Sequence, residues 1–336
     1  MPQNHQRIPR FRYLGYAALY QAKKAAGLRA DRHRNFLIWK LVSLIESGKI
    51  NGGHLGITSM GKTDGVGAQA MAKFSAMAIA HAYGMQYVHV PFKNLAHAEL
   101  PGSEWDGVWE QLLAMHAGAP PFDPENMKPV GLGEFLGNPA LWKRKVVIFD
   151  RHFHPFCELA PNHGCEVAGK LQASFGKYPP EKPGHHVCRI GVHVRRGDVR
   201  KGDANTKRRF TSNNHTVAVL RKVFEAAVAS GLEPEIHLHS NGTSDELGEF
   251  RQFPGLEYHS RSPAVDTFVS LATSEVLIAT RSDFSTLAGV YNKGIVVCDP
   301  RHRTPLPGWI KAGPETENLR EEINRRLHPP KQPSNV

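Results

Sequence analysis

The chain is poor in cysteine: Cys157, Cys165, Cys188 and Cys298 are the four in 336 residues, and no Cys-x-x-Cys pair occurs. A dense disulfide framework is thereby excluded, and the composition suits a reducing compartment such as the cytoplasm. Long apolar runs are missing as well. None reaches the roughly 18 to 20 residues that cross a bilayer, and the first residues carry no apolar core of signal-peptide type. A soluble cytoplasmic protein is expected. Acidic residues are in deficit, 31 Asp and Glu against 42 Lys and Arg, for a net charge of +11. That balance favours anionic partners, among them nucleotides, phosphorylated sugars, nucleic acid and acidic membranes.

A chain this long exceeds the size at which one core usually stops growing, so two domains are expected. The proline-rich stretch Tyr-Pro-Pro-Glu-Lys-Pro-Gly at 178–184 reads as a linker. It divides an N-terminal α/β domain over 1–180 from a C-terminal domain over 181–330, with a disordered tail at 331–336. In the first domain, strands are expected at 55–60, 87–90 and 145–149, with helical spacing in Met71, Phe74, Met77, Ala78 and His81. Residues 92–142 lack sustained periodicity and read as loops and short helices that shape an acceptor surface. Residues 7–46 are basic and amphipathic, which fits a packed helix pair or, alternatively, peripheral contact with an anionic membrane.

The second domain is regular. Strands expected at 187–194, 235–239, 276–279 and 294–298 alternate with helical faces such as Val217, Leu220, Phe224 and Ala227. Alternation of this length implies a parallel sheet with right-handed crossovers.

Two motifs carry chemistry. Residues 190–198 read Ile-Gly-Val-His-Val-Arg-Arg-Gly-Asp, an apolar strand that delivers His193, Arg195, Arg196 and Asp198 to the end of a strand. Open α/β sheets bind ligands there, and an arginine fork can hold diphosphate oxygens. Alternation lets only one of the two arginines face the ligand. The competing reading is a surface ion pair of an arginine with Asp198. Residues 277–285, Leu-Ile-Ala-Thr-Arg-Ser-Asp-Phe-Ser, run from a buried strand through a polar turn into a helix. The backbone N–H groups and the hydroxyls of Ser282 and Ser285 could cradle a phosphate. Ordinary N-capping by Ser282 or Asp283 is the plainer reading.

Together these motifs, with His-Ser-Asn-Gly at 239–242 and Asp-Thr-Phe at 266–268, resemble the fucosyltransferase-like glycosyltransferases. That superfamily includes the bacterial nodulation α1,6-fucosyltransferase, the α1,2-fucosyltransferases and the protein O-fucosyltransferases. More faintly, residues 64–69 look like the Gly-rich loop that opens the acceptor domain of such enzymes. The resemblance implies an α/β fold of two facing Rossmann-like domains (GT-B type), the C-terminal one holding a nucleotide sugar. By position, Arg195 would hold the donor diphosphate and His193 would support it. Asp266 would read the guanine edge of a GDP-sugar, and Ser282 and Ser285 would bind phosphate. Asp203 would be the catalytic base, with Asp198 as the alternative. Asp283 departs from the pattern, because its carboxylate would repel a diphosphate unless turned away or paired with Arg281.

The expected activity is transfer of fucose from GDP-fucose, with inversion, to a glycan or glycolipid hydroxyl in carbohydrate biosynthesis. Neither a metal nor another cofactor is expected. Three other readings compete. Residues 56–63, Gly-Ile-Thr-Ser-Met-Gly-Lys-Thr, satisfy the P-loop pattern, and Asp150 ends an apolar strand as a Mg²⁺-holding residue would. His152, His154, Cys157, His163 and Cys165 cluster in sequence but match no familiar zinc spacing. A catalytically silent nucleotide- or carbohydrate-binding protein would carry the same motifs. Nucleic acid is not expected, since the basic run at 200–209 lacks interleaved aromatics.

Overall fold

A computed structural model describes residues 31–123, 125–151, 161–175, 184, 186–199, 206, 209–260 and 262–328. The chain packs as two compact units. The first comprises 1–64, 69–94 and 115–167; the second comprises 65–68, 95–114 and 168–336. The expected division near residue 180 is therefore replaced by an interleaved one, in which two N-terminal segments join the C-terminal unit. Most of the 178–184 linker, the 331–336 tail and residues 1–30 of the basic N-terminus lie outside the described residues. Among those described, no helix is long and apolar enough to cross a membrane.

The first unit is built on a parallel sheet of order β2-β1-β4-β3: β1 (Leu55–Ser59), β2 (Gln86–Tyr87), β3 (Pro129–Gly131) and β4 (Val146–Asp150). Every residue of β1 is buried, as a strand covered on both faces requires. This placement overturns the P-loop reading. Gly56 to Ser59 are strand residues in register with β4, whereas a phosphate loop must follow its strand. Lys62, the residue that would reach a phosphate, is instead ion-paired to Asp64 at 2.7 Å. Asp150 sits beside Ser59 at the end of β4.

The second unit holds a six-stranded parallel sheet of order β10-β9-β8-β5-β6-β7. Its strands are β5 (Val187–His193), β6 (Glu233–His239), β7 (Leu256–His259), β8 (Val276–Ala279), β9 (Ile295–Cys298) and β10 (Ile310–Lys311). One sheet face buries Cys188, Ile190, Val192, Ile236, Leu238 and Ile278 against helices Asn213–Ala229 and Leu319–Leu327. The other face packs on helices Ala264–Thr273 and Asp283–Tyr291: a Cβ on Gly191 would lie 2.9 Å from Ser274 Oγ, and one on Gly289 would lie 3.2 Å from Val296. With β5 as the first strand, the order reads 3-2-1-4-5-6 from the β7 edge, the doubly wound Rossmann arrangement. The expected α/β class, with one parallel sheet in each unit, is what the chain folds into.

Candidate functional site

Strand order fixes where a ligand fits. In a doubly wound sheet the crevice opens beyond the carboxyl ends of the strands where the winding reverses, here between β5 and β8. Both sequence motifs end at that point. His193 is the last residue of β5, in register with Ala279 of β8 and His239 of β6. Thr280 Oγ1 donates to His193 O at 2.6 Å and ties the two strand ends together.

The loop after β5 is held by the His-Ser-Asn-Gly segment. Arg196 N donates to Asn241 Oδ1 at 2.8 Å. Gly197 has φ +68°, and a Cβ there would come within 2.4 Å of Asn241 Nδ2, so glycine is required on conformational and steric grounds. The two arginines have separate fates. Arg196 is 6% exposed, donates to the carbonyls of Arg195 (2.8 Å) and Thr211 (3.1 Å) and to Asn213 Oδ1, and lies over the Phe210 ring. Arg195 stays at the surface and forms a bidentate pair with Asp198, Nε to Oδ1 at 2.9 Å and Nη2 to Oδ2 at 2.6 Å. Its Nη1 has no partner among the described residues.

That geometry sets the charges. The hydrogen bond from Arg195 holds the Asp198 carboxyl below the usual carboxylate range against the opposing effect of burial, and the charges of Arg195, His97 and Arg209 add to it. An ionised, engaged carboxylate of low basicity makes a weak general base and a good orienter of Arg195. Burial, and then the Arg195 charge, push His193 down to about 4. Its ring lies 5.4 Å from Phe284, and its Nδ1 is sealed from solvent without a hydrogen-bond partner among the described residues. His239 is pushed down to about 3 by burial and then by its histidine neighbours, and its Nε2 pairs with Ser270 Oγ at 3.0 Å.

Across the switch point, Ser282 caps helix Asp283–Tyr291, its Oγ accepting from Phe284 N at 3.3 Å. Ser285 is fully buried and its hydroxyl turns inward to the carbonyls of Thr280 (3.3 Å) and Ser282 (3.2 Å). In this structure the Ser285 hydroxyl serves the helix start. Gly67, in the first turn of helix Val66–Tyr83 that begins within the Gly-rich segment, approaches the same helix end: a Cβ there would come within 2.6 Å of Phe284 N and 2.7 Å of Asp283 C. Asp283 is paired, but not with Arg281. Its Oδ1 accepts from Arg303 Nε at 2.9 Å and His302 Nε2 at 3.1 Å. Arg281 turns instead to Asp299, Nε to Oδ2 at 2.8 Å, where Arg301 also binds. Burial alone would raise Asp299, but hydrogen bonds from Arg301 and Arg281 bring it down to about 2.

Asp266 stands in the first turn of helix Ala264–Thr273, and its carboxylate makes no hydrogen bond among the described residues. The N-terminus of that helix is capped by Glu99, whose Oε1 and Oε2 accept from Ala264 N at 2.9 and 3.0 Å. Sequence reasoning missed Glu99, 165 residues away, together with Arg303, Asp299 and His259. Asp203, His152, His154 and Cys157 lie outside the described residues.

The strand order and the helices on both sheet faces define the second unit as a doubly wound α/β fold with its ligand crevice at the β5/β8 switch. Among solved structures, the chain is similar to NodZ alpha-1,6-fucosyltransferase co-crystallized with GDP, at 13% identity and a TM-score of 0.39 over 71% of this chain and 92% of that one. It is also similar to fucosyltransferase NodZ from Bradyrhizobium, at 14% identity and a TM-score of 0.40 over 70% and 91%. No protein-family profile and no curated protein matches the chain.

Proposed function

We propose that the protein is a glycosyltransferase that moves fucose from GDP-fucose to a hydroxyl of a glycan or glycolipid with inversion. The observation that carries this reading is the convergence of Arg195, oriented by Asp198, and the Ser282-capped helix start at the switch point of a doubly wound sheet. In this reading Arg195 uses Nη1 for the donor diphosphate, because Asp198 already occupies Nε and Nη2. The helix dipole adds fractional positive charge toward the same group. As the glycosidic C–O bond breaks, these groups offset the charge that develops on the departing nucleotide diphosphate. Asp266 reads the base edge, and Asp203 takes the acceptor proton.

Calorimetry with GDP, UDP and ATP tests the reading, followed by donor turnover in an acceptor screen. GDP binding in preference to the others, with release of GDP from GDP-fucose, is the expected result. Failure to bind GDP would overturn the reading. Binding without turnover across the screen would point to a silent binding protein.

A further inference from the structure

A second cluster lies on the outer strand pair of the same unit. In β6, Ile236 and Leu238 enter the core, so alternation places Glu235, His237 and His239 on the opposite face. On the neighbouring edge strand β7, Glu257 pairs with His237 and His259 pairs with His239. This register brings three donor atoms together. His237 Nδ1 lies 3.1 Å from His259 Nε2 and 3.5 Å from Glu257 Oε2, and His259 Nε2 lies 3.6 Å from Glu257 Oε2. A tetrahedral ion with ligands at about 2.0 to 2.1 Å sets its ligand edges at about 3.3 to 3.4 Å. The three edges bracket that value.

We propose that His237, Glu257 and His259 form a binding site for a divalent transition-metal ion of the zinc type, with the remaining position open to solvent. Two imidazoles and one carboxylate suit such an ion better than Ca²⁺ or Mg²⁺, which prefer oxygen ligands. The surroundings support it. With Nδ1 as ligand, His237 carries its proton on Nε2, a buried atom without a hydrogen-bond partner among the described residues, and Glu235 Oε2 stands 3.9 Å from it. A carboxylate behind a ligating histidine fixes its tautomer and raises its basicity. His259 is braced from the other side by the His239 ring, stacked at 4.6 Å and 14°. The ion would clip the last strand of the sheet to its neighbour. This assignment is independent of the proposed glycosyl transfer.

The test uses the full chain, metal-stripped and titrated with Zn²⁺ by calorimetry and with Co²⁺ by visible absorption. One site is expected, with the intense d–d bands of four-coordinate Co²⁺ and a rise in Tm on Zn²⁺ addition. His237→Ala and His259→Ala should each weaken that site at least tenfold and abolish the bands. Glu257→Gln, a surface change that leaves the fold intact, should weaken it by a similar factor. His81→Ala, at a separate cluster with His163 and Glu166, should leave the affinity unchanged. Binding that survives both His237→Ala and Glu257→Gln, or that disappears in His81→Ala alone, would overturn the proposal.

Discussion

Arg195→Ala and Arg196→Ala should fail in opposite ways, although the residues are adjacent. Among the described residues the Arg195 side chain is tied only to Asp198, whose side chain is 42% exposed, so its removal leaves a hydrated carboxylate and costs about 0 to 1 kcal/mol of stability. For a unit of this size the Tm should fall by no more than about 2 to 4 °C. In the proposed function, its contact with the donor diphosphate would be charge-assisted and would contribute about 1.5 to 3 kcal/mol. GDP affinity should therefore fall about 10- to 140-fold. Arg196→Ala removes a buried cation from two carbonyls, from Asn213 and from the Phe210 ring. Buried acceptors left unsatisfied cost about 1 to 3 kcal/mol each, so a stability loss of about 3 kcal/mol is expected. Thermal unfolding and GDP calorimetry on both variants separate the effects. Arg195→Ala with near-normal GDP affinity and normal Tm would refute the role given to Arg195. A larger Tm loss in Arg195→Ala than in Arg196→Ala would refute the assignment of which arginine is structural.

Asp203→Asn should abolish transfer while GDP affinity stays within about twofold, since a base that touches the acceptor adds little to donor binding; retained turnover would move the base elsewhere. Gly67→Ala should lower both Tm and GDP affinity, because the added Cβ meets backbone atoms at the start of helix Asp283–Tyr291 and neither can yield alone; an unchanged Tm would show that Gly67 does not press on that helix. Acid should destabilise the second unit from pH 6.5 downward. His193 and His239 titrate near 4 and 3 in the folded chain and at the ordinary 6.5 when unfolded, so between those values the unfolded state binds the extra protons. Stability then falls by about 1.4 kcal/mol per pH unit for each histidine. Urea unfolding at pH 7.5, 6.0 and 5.0 should show this slope, and His239→Gln should remove one proton's share; an unaltered slope would contradict the burial assigned to His239.

Much of the sheet was legible because its central strands are covered on both faces and must be continuously apolar. The segments Val276–Ala279 and Ile295–Cys298 are wholly buried and read as strands from hydropathy alone. The edges were not legible. β7 reads Leu-Glu-Tyr-His and buries none of its residues fully, so no alternation marks it. Helix Leu319–Leu327 (Leu-Arg-Glu-Glu-Ile-Asn-Arg-Arg-Leu) contributes Leu319 and Ile323 to the core among seven other residues, five of them charged. Residues 92–142 read as loops and short helices because no periodicity is sustained, yet helix Gly102–Leu113 runs twelve residues and buries Trp105, Trp109, Leu112 and Leu113. That packing, with Trp109 against Phe268 and Phe284, draws residues 95–114 into the second unit. A linker search cannot detect such interleaving, because it depends on side chains distant in sequence.

The same limit applied to charge. Motif position placed Arg195 and Asp283 near a diphosphate and offered Asp198 as an arginine's partner, but the partners of Asp283 could come only from the fold. Asp198 is three residues from Arg195, whereas Arg303 is twenty from Asp283. The outcome alters how the site is understood. Arg195, Arg281 and Arg303 each face a carboxylate, so the sheet edge is a set of oriented ion pairs rather than bare positive charge. An unpaired arginine would lose up to about 2 kcal/mol of rotamer entropy on gripping an anion. With Nε and Nη2 already fixed by Asp198, Arg195 meets most of that cost on folding, and its remaining donor is aimed before any ligand arrives. Preorganisation of this kind raises affinity without new contacts, so under the proposed function Asp198 would serve donor binding by orienting Arg195, with no proton transfer required.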